Sequence, residues 1–355
     1  MAPELAGLFR FTSILAGGND CPGRAKTDLK LRAPTLILAS VAVLALLFAF
    51  SAAAGEVPTR PAPGRPGQEF RTVSDETGRT VRVPVPVRRV VSLAPSLTES
   101  IYALGLEALL VGDTDYCDYP EAAKSKVKVG GAVNPNIEVV ASLKPDVVLL
   151  TKSLNRMETV RALERLGIAA YATDPQSVDQ IRASVHKLAD VLGSPAAGDS
   201  LDRSLLNAEN ELRRRIEGLA PTRVLFVVWT DPLISVGKHT FLADALSHAG
   251  ALSVVDSAQD WPQISLEEMV RLQPEVLVFA ASHSESVAQG VEALALRPGW
   301  SSLEAVKNRR FAVVSDAVNR PAPRLLSAVE DLARQLHPEA FSDRSGPEKP
   351  AKENR

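Results

Sequence analysis

A chain of 355 residues, 45% hydrophobic and 23% charged, has the make-up of a soluble globular protein with room for two domains of ordinary size. Its formal net charge of −2 excludes the clustered excess of Lys and Arg that nucleic-acid binding requires. Two cysteines, Cys21 and Cys117, exclude a disulfide framework.

Residues 33–54 form an almost uncharged apolar run, preceded by Lys26, Lys30 and Arg32 and closed by Ala52-Ala53-Ala54-Gly55. A basic stretch, an apolar stretch and a small-residue end are the layout of a secretory signal, so residues 1–54 read as a signal peptide. With about 18 to 22 apolar residues the same run also reaches across a bilayer as an uncleaved anchor. Either way the remainder lies outside the cytoplasm, in the periplasm. No Cys closely follows the run, so no lipid anchor is expected. Cys21 falls ahead of this segment, which leaves Cys117 a lone thiol, packed or in a pocket wall, with no activating cation near it in sequence.

Residues 55–69, rich in Pro and Gly, read as a flexible linker. Residues 71–74 and 79–83 predict two short strands about a turn at Gly78, with Pro84 and Pro86 ending the hairpin. Residues 89–93 are a β-branched run, residues 97–104 a helix stopped by Gly105, and residues 109–112 the next strand: a βαβ unit, hence parallel sheet. A loop at 113–120 and a segment at 130–136 follow. Asn136 caps a helix to Leu143, and residues 147–150 are a buried strand. Helix 157–166, strand 169–172 and helix 178–192 keep the rhythm.

Residues 194–221 predict one long connecting helix. Ser194 caps it, Pro195 suits its first position, and Leu201, Leu205, Ala208, Leu212, Ile216 and Leu219 share a face. Gly218 and Pro221 stop it, after roughly 35 Å at the helical rise. The rhythm then starts again. Residues 223–228 answer 89–93, and residues 241–250 answer 97–105. Ile137-Glu138, Leu143 and Pro145-Asp146-Val147 recur as Leu266-Glu267, Leu272 and Pro274-Glu275-Val276 at one constant offset. Strand 311–314 and helix 323–336 close the second half. The predicted class is α/β: two Rossmann-like α/β lobes, residues 70–193 with a leading hairpin and residues 222–341, joined by a single long helix. Residues 342–355 read as a disordered tail.

The chemistry is notable for what it lacks. Gly237-Lys238-His239-Thr240 is a near miss for a phosphate loop, because the earlier Gly that such a loop needs is replaced by Asp231 and Pro232. No G-x-G-x-x-G follows a strand and no G-x-S-x-G elbow exists. His186, His239, His248, His283 and His337 are scattered without metal-ligand spacing, so no catalytic residue, metal site or permanent cofactor is expected.

A cleft remains. In open α/β sheets ligands gather beyond the carboxyl ends of the strands. Pro95, Ser96, Asp115, Tyr116 and Tyr119 lie just past strands of the first half, and Trp229, Trp261 and Pro262 past strands of the second. Three aromatics of a small stock, Tyr116, Trp229 and Trp261, suit a large, flat, partly apolar ligand; their alternative role is packing at loop bases. Arg320 either points its charge into the same cleft or is solvated. Glu138 and Glu267 occupy the first turns of equivalent helices, where an acidic side chain favours the helix dipole; the other reading is a pair of rim sites meeting basic sites of a two-fold partner.

Gly78-Arg79-Thr80-Val81, the run from Arg89 to Ser96, Asp115-Tyr116-Cys117-Asp118-Tyr119-Pro120, Leu143-Lys144-Pro145-Asp146, Trp261-Pro262-Gln263-Ile264-Ser265-Leu266-Glu267 and Arg320-Pro321-Ala322-Pro323-Arg324, in this order, resemble the periplasmic binding proteins of iron-chelate and vitamin B12 ABC importers, above all the cobalamin-binding ones. The resemblance covers residues 70–341. It implies a class III binding protein, acting as a monomer, that delivers a small metal chelate to an ABC permease dimer in the inner membrane. In that family a Glu on each lobe docks on permease arginines; the matching positions are Glu138 and Glu267. Tyr116 and Trp261 match cleft aromatics, Trp229 stands beside one whose matching site holds Val228, Arg320 matches a pocket-lining Arg, and Pro95 joins them at a strand end. Ala132 and Thr151 stand where a cobalamin binder has Trp, and lone Cys117 departs from members with a disulfide in the second lobe. The expected ligand is cobalamin or a related corrinoid, with a ferric siderophore or haem as the alternative. The rival classes are an extracytoplasmic hydrolase or oxidoreductase, for which the chain offers no nucleophile, and a membrane-tethered sensor domain, which depends on whether residues 33–54 are cleaved.

Overall fold

The computed structural model describes residues 68–281 and 296–342. The signal or anchor segment with Cys21, nearly all of the linker, His283 and the tail beyond Ser342 lie outside these residues.

The hairpin pairs β1 (Glu69–Ser74) antiparallel with β2 (Thr80–Val85). Its turn is closed by Asp75, whose Oδ1 accepts from the Thr77 backbone and hydroxyl and from the Arg79 backbone, while Gly78 takes the left-handed conformation. Pro84 does not end the strand; it pairs opposite Phe70 near the end of a two-stranded ribbon, where a missing N–H is tolerated.

The first lobe follows as β3 (Val90–Ser92), α1 (Pro95–Ala103), β4 (Leu110–Asp113), β5 (Val127–Lys128), α2 (Ile137–Ser142), β6 (Val147–Thr151), α3 (Met157–Arg165), β7 (Ala169–Thr173) and α4 (Val178–Val191). Its strands run parallel in the order β5-β4-β3-β6-β7. Both faces of the sheet are covered. Val147 and Leu149 pack with Val185 and Leu188 of α4 on one face, and Val148 and Leu150 pack with Val140 and Leu163 on the other.

After α5 (Pro195–Ile216), the second lobe comprises β8 (Thr222–Val227), β9 (Trp229–Thr230), β10 (Leu233–Ile234), α6 (Phe241–His248), β11 (Ala251–Ser253), α7 (Leu266–Leu272), β12 (Val276–Ala280), α8 (Glu304–Lys307), β13 (Phe311–Val314) and α9 (Leu325–Leu336). Its parallel sheet has the order β11-β8-β12-β13. β8 therefore holds the central place of β3, flanked by β11 as β3 is by β4, and by β12 as β3 is by β6. The repeated sequence plan is a repeated sheet topology. Even the strand entries match: Asp146 N donates to Arg89 O and Glu275 N to Arg223 O, each at 2.8 Å.

The connecting helix departs from expectation at both ends. Ser194 makes no side-chain cap; Pro195 at the first helical position starts the helix without one. The helix ends at Ile216, five residues short, because Glu217 leaves the helical conformation and Gly218 turns left-handed. Twenty-two residues still span about 33 Å. Of its apolar face, Leu212 is buried and Leu201, Leu205 and Ile216 are half-buried, whereas Ala208 and Leu219 are exposed. The face is narrower because α5 packs along one line. At its start Gly198 comes so close to α4 that an added Cβ would lie 2.8 Å from Ala189 Cβ, and Ala197 and Leu201 pack on the first lobe. Leu212 and Ile216 pack with Leu332 and Leu336 in the second.

The helix α5 does not bridge the lobes alone. Val178 and Ile181, in the first turn of α4, belong to the core of the second lobe, and Val178 N donates to Asp244 of α6 at 2.7 Å. Arg182 ties α4 to α5 through Asp202 and Glu209.

Candidate functional site

In the first lobe the strand ends are bound together by one side chain. Asn155 Nδ2 donates to Leu93 O at 3.1 Å and to Ala132 O at 2.7 Å, and its Oδ1 accepts from Thr151 N at 2.7 Å. This amide fixes the loop after β3, the segment around Ala132 and the end of β6. Pro95, half-exposed, follows as the first residue of α1, where its missing N–H is not needed. Ala132 and Thr151 are both buried.

The loop after β4 rests on an ion pair between a half-exposed lysine and a buried carboxylate. Lys128 Nζ of β5 lies 2.8 Å from Asp113 Oδ1 and also donates to the carbonyls of Cys117 and Ala123. Burial pushes the Asp113 carboxyl upward, with Lys128 opposing it. Cys117 is packed beneath the loop, its sulfur 3.2 Å from the hydroxyls of both Thr98 and Thr114, and burial pushes the thiol up. It is a wall residue, not a nucleophile. On this base Tyr116, Asp118 and Tyr119 are all exposed.

In the second lobe Trp229 does not sit in a loop. It is half-buried in the two-stranded β9–β10 hairpin opposite Ile234, and its Nε1 donates to Asp231 O at 2.7 Å. The segment carrying Trp261 is fastened to that hairpin: Ser235 N donates to Pro262 O, Gly237 N to Asp260 O, Lys238 N to Ser257 O and Ile264 N to Leu233 O. Gly237 is required by the closeness of this approach, since a Cβ there would overlap the Gln259 carbonyl. The run Gly237-Lys238-His239-Thr240 is thereby accounted for as a close turn followed by a helix cap, Thr240 Oγ1 accepting from Ala243 N. Trp261 itself is 42% exposed.

The lobes meet at charges. Glu99 of α1, 3% exposed, accepts from Arg320 Nη1 at 2.7 Å and from Arg324 Nε and Nη2 at 3.0 and 2.8 Å. Arg320 Nη2 is 2.8 Å from Asp118 Oδ1, and the Arg324 guanidinium lies 3.8 Å over the Tyr119 ring. Arg320 is thus neither solvated nor unopposed. Burial works against its charge, and Asp118 and Glu99 outweigh that effect, holding its pKa above the ordinary value. Glu99, Asn155 and the roles of Asp118 and Arg324 were missed in the sequence. The available signal was a lone carboxylate inside the apolar stretch that became α1.

Glu138 and Glu267 are exposed in the first turns of α2 and α7, behind the side-chain caps Asn136 and Ser265. The Glu267 carboxyl is lowered by its own backbone N–H and by the Ser265 hydroxyl. Among the described residues neither Glu138 nor Glu267 takes part in a salt bridge. Three of the five histidines are engaged elsewhere: His186 with Asp199, His248 with Glu209 and Asp244, and His337 with Gly250 O. Among the described residues no group of three or more His, Cys, Asp or Glu is placed to hold a metal ion, and no helix is long and apolar enough to cross a membrane.

Comparison with known proteins agrees with this architecture. The periplasmic binding protein family pattern matches residues 90–317. An ABC transporter substrate-binding lipoprotein of Bacillus subtilis, YvrC, is 32% identical over 282 residues, 77% of this chain and 87% of that protein. The vitamin B12-binding protein of Yersinia pestis is 32% identical over 249 residues, 70% of this chain and 86% of that protein. Among solved structures, the periplasmic haem-binding protein RhuT of Roseiflexus aligns with a TM-score of 0.66 at 26% identity, covering 72% of this chain and 99% of that one.

Proposed function

Because this chain belongs to the periplasmic binding protein family, we propose that the strand ends of its two sheets hold haem or a ferric siderophore for delivery to an ABC importer. At family level the function is extracytoplasmic and non-catalytic: a class III substrate-binding protein for metal-chelate or corrinoid ligands, working with a cognate permease. Pro95, Tyr116, Trp229, Trp261 and Arg320 are assigned to the ligand, and Glu138 and Glu267 to the permease.

The observation that carries the ligand reading is the company kept by the arginines. Two guanidinium groups stand beside the loop of two exposed phenols, Tyr116 and Tyr119, with Tyr119 directly under Arg324. Phenolate oxygen is a known ligand of haem iron, and rings with adjacent cations suit a flat chelate bearing acidic substituents. The two positions where a cobalamin binder places Trp carry Ala132 and Thr151, both buried, so neither offers a ring to a corrin face. Cobalamin or another corrinoid is the second reading, favoured by the likeness to the vitamin B12-binding protein of Yersinia.

Calorimetric titration with iron protoporphyrin IX, a ferric tris-catecholate and cyanocobalamin separates these readings. One-to-one binding of an iron compound at about micromolar Kd or tighter supports the first. Tight binding of cyanocobalamin alone selects the second, and no heat with any of the three refutes both. The docking assignment has its own test: Glu138→Arg with Glu267→Arg abolishes transport in whole cells while the purified protein still binds ligand. Unchanged transport refutes it.

A further inference from the structure

The four charges between the lobes are unequally placed. Arg324 meets Glu99 with both Nε and Nη2, the two-pronged contact that fits a carboxylate best. Arg324 is in turn held over Tyr119. Arg320 is the surplus guanidinium on this carboxylate. It adds a third contact through Nη1 and leaves Nη2 to Asp118. The Asp118 side chain is 59% exposed, whereas that of Arg320 is 18% exposed and that of Glu99 2%. Burial raises the Asp118 carboxyl and the hydrogen bond from Arg320 more than offsets it, so Asp118 stays ionised as the counter-ion of Arg320.

We propose that Asp118 is an exchangeable counter-ion, a specificity device that neutralises Arg320 until an anionic substituent of the chelate, a carboxylate in the simplest case, takes its place on Nη2. This rests on the reading of the strand ends as the ligand site. The exchange is favoured by burial. Asp118 is the solvent-side member of its pair, its side chain 59% exposed, and returns its carboxylate to water on leaving. The incoming carboxylate meets the same guanidinium under the cover of the bound chelate, where water and salt screen it less. Glu99 and Arg324 stay paired, so the lobe contact survives the exchange. A neutral analogue cannot displace Asp118 and gains nothing from Arg320. The site therefore selects acids over their esters or amides, and Asp118 sets how strongly by competing with them.

The test uses matched pairs with the full exported protein: iron protoporphyrin IX against its dimethyl ester, and dicyano-cobyric acid against dicyano-cobinamide, each titrated into the wild type and into Asp118→Asn and Arg320→Gln. In whichever pair binds, the wild type prefers the acid. Asp118→Asn raises the ratio of acid to neutral affinity by about tenfold, and Arg320→Gln brings the ratio close to one. Circular dichroism checks that the variants fold; should Arg320→Gln not fold, the Asp118→Asn ratio decides alone. A ratio unchanged by Asp118→Asn overturns the exchange while leaving the proposed ligand class standing. Binding of neither pair, nor of a ferric tris-catecholate, overturns the ligand class and the exchange with it.

Discussion

Gly237 shows how far one residue's size governs the position of another. It has no side chain to contribute, yet its missing Cβ lets the β10–α6 turn touch the backbone at Gln259, and that approach, with the Gly237 N to Asp260 O hydrogen bond, places Trp261. Gly237→Ala is expected to cost about 1–3 kcal/mol, as overpacking against backbone does, and to weaken chelate binding in the protein that still folds. Urea denaturation and titration check the two effects; an unchanged midpoint would show that the segment yields freely. At this scale the sequence was partly legible. Pro95 and Tyr116 each fall three residues past a strand, close to where the sequence places them, whereas Trp261 falls eight residues past β11 and is positioned by the bonds of its segment to the β9–β10 hairpin. Glu99 was not legible as a partner of Arg320 and Arg324, since 221 and 225 residues separate them and no local pattern records a contact between lobes. Ser194 has the residue type of a cap without its geometry.

Among the elements, α2 and α7 carry the repeat most faithfully. Each begins with a side-chain cap, has a Glu in its first turn, and ends in a residue with positive φ, Lys144 at +48° and Gln273 at +43°. A side chain in that region is strained, but the two residues are not equivalent. Lys144 is exposed and its side chain makes no hydrogen bond among the described residues, whereas Gln273 accepts from Glu304 N at 3.0 Å and donates to Ser302 O. Lys144→Gly is therefore expected to stabilise by about 0.5–1 kcal/mol and Gln273→Gly to destabilise by about 1 kcal/mol. Thermal melts check this, and shifts of the same sign would contradict it. The long buried strands were legible because four or five consecutive apolar residues between turn signals admit few other readings. β5, β9, β10 and β11 were not, being two or three residues long and set by their neighbours rather than by their own pattern.

At the scale of the whole molecule, three features join the lobes: α5, the first turn of α4 within the second core, and the Glu99 cluster, built from side chains of both lobes. Two helices and an ion cluster thus link the lobes, a reason to expect rocking of the lobes by only a few degrees. Glu99→Ala leaves two guanidinium groups facing each other without their shared carboxylate and is expected to cost about 3 kcal/mol, read by denaturant unfolding. A loss well below 1 kcal/mol would mean that water replaces Glu99 with ease. One ligand is expected to be gripped by both lobes at once, and calorimetry on single-ring deletions tests this most directly. With whichever chelate binds, Tyr116→Ala in the first lobe and Trp261→Ala in the second should each weaken one-to-one binding by roughly tenfold. Affinity untouched by the loss of either ring would contradict it.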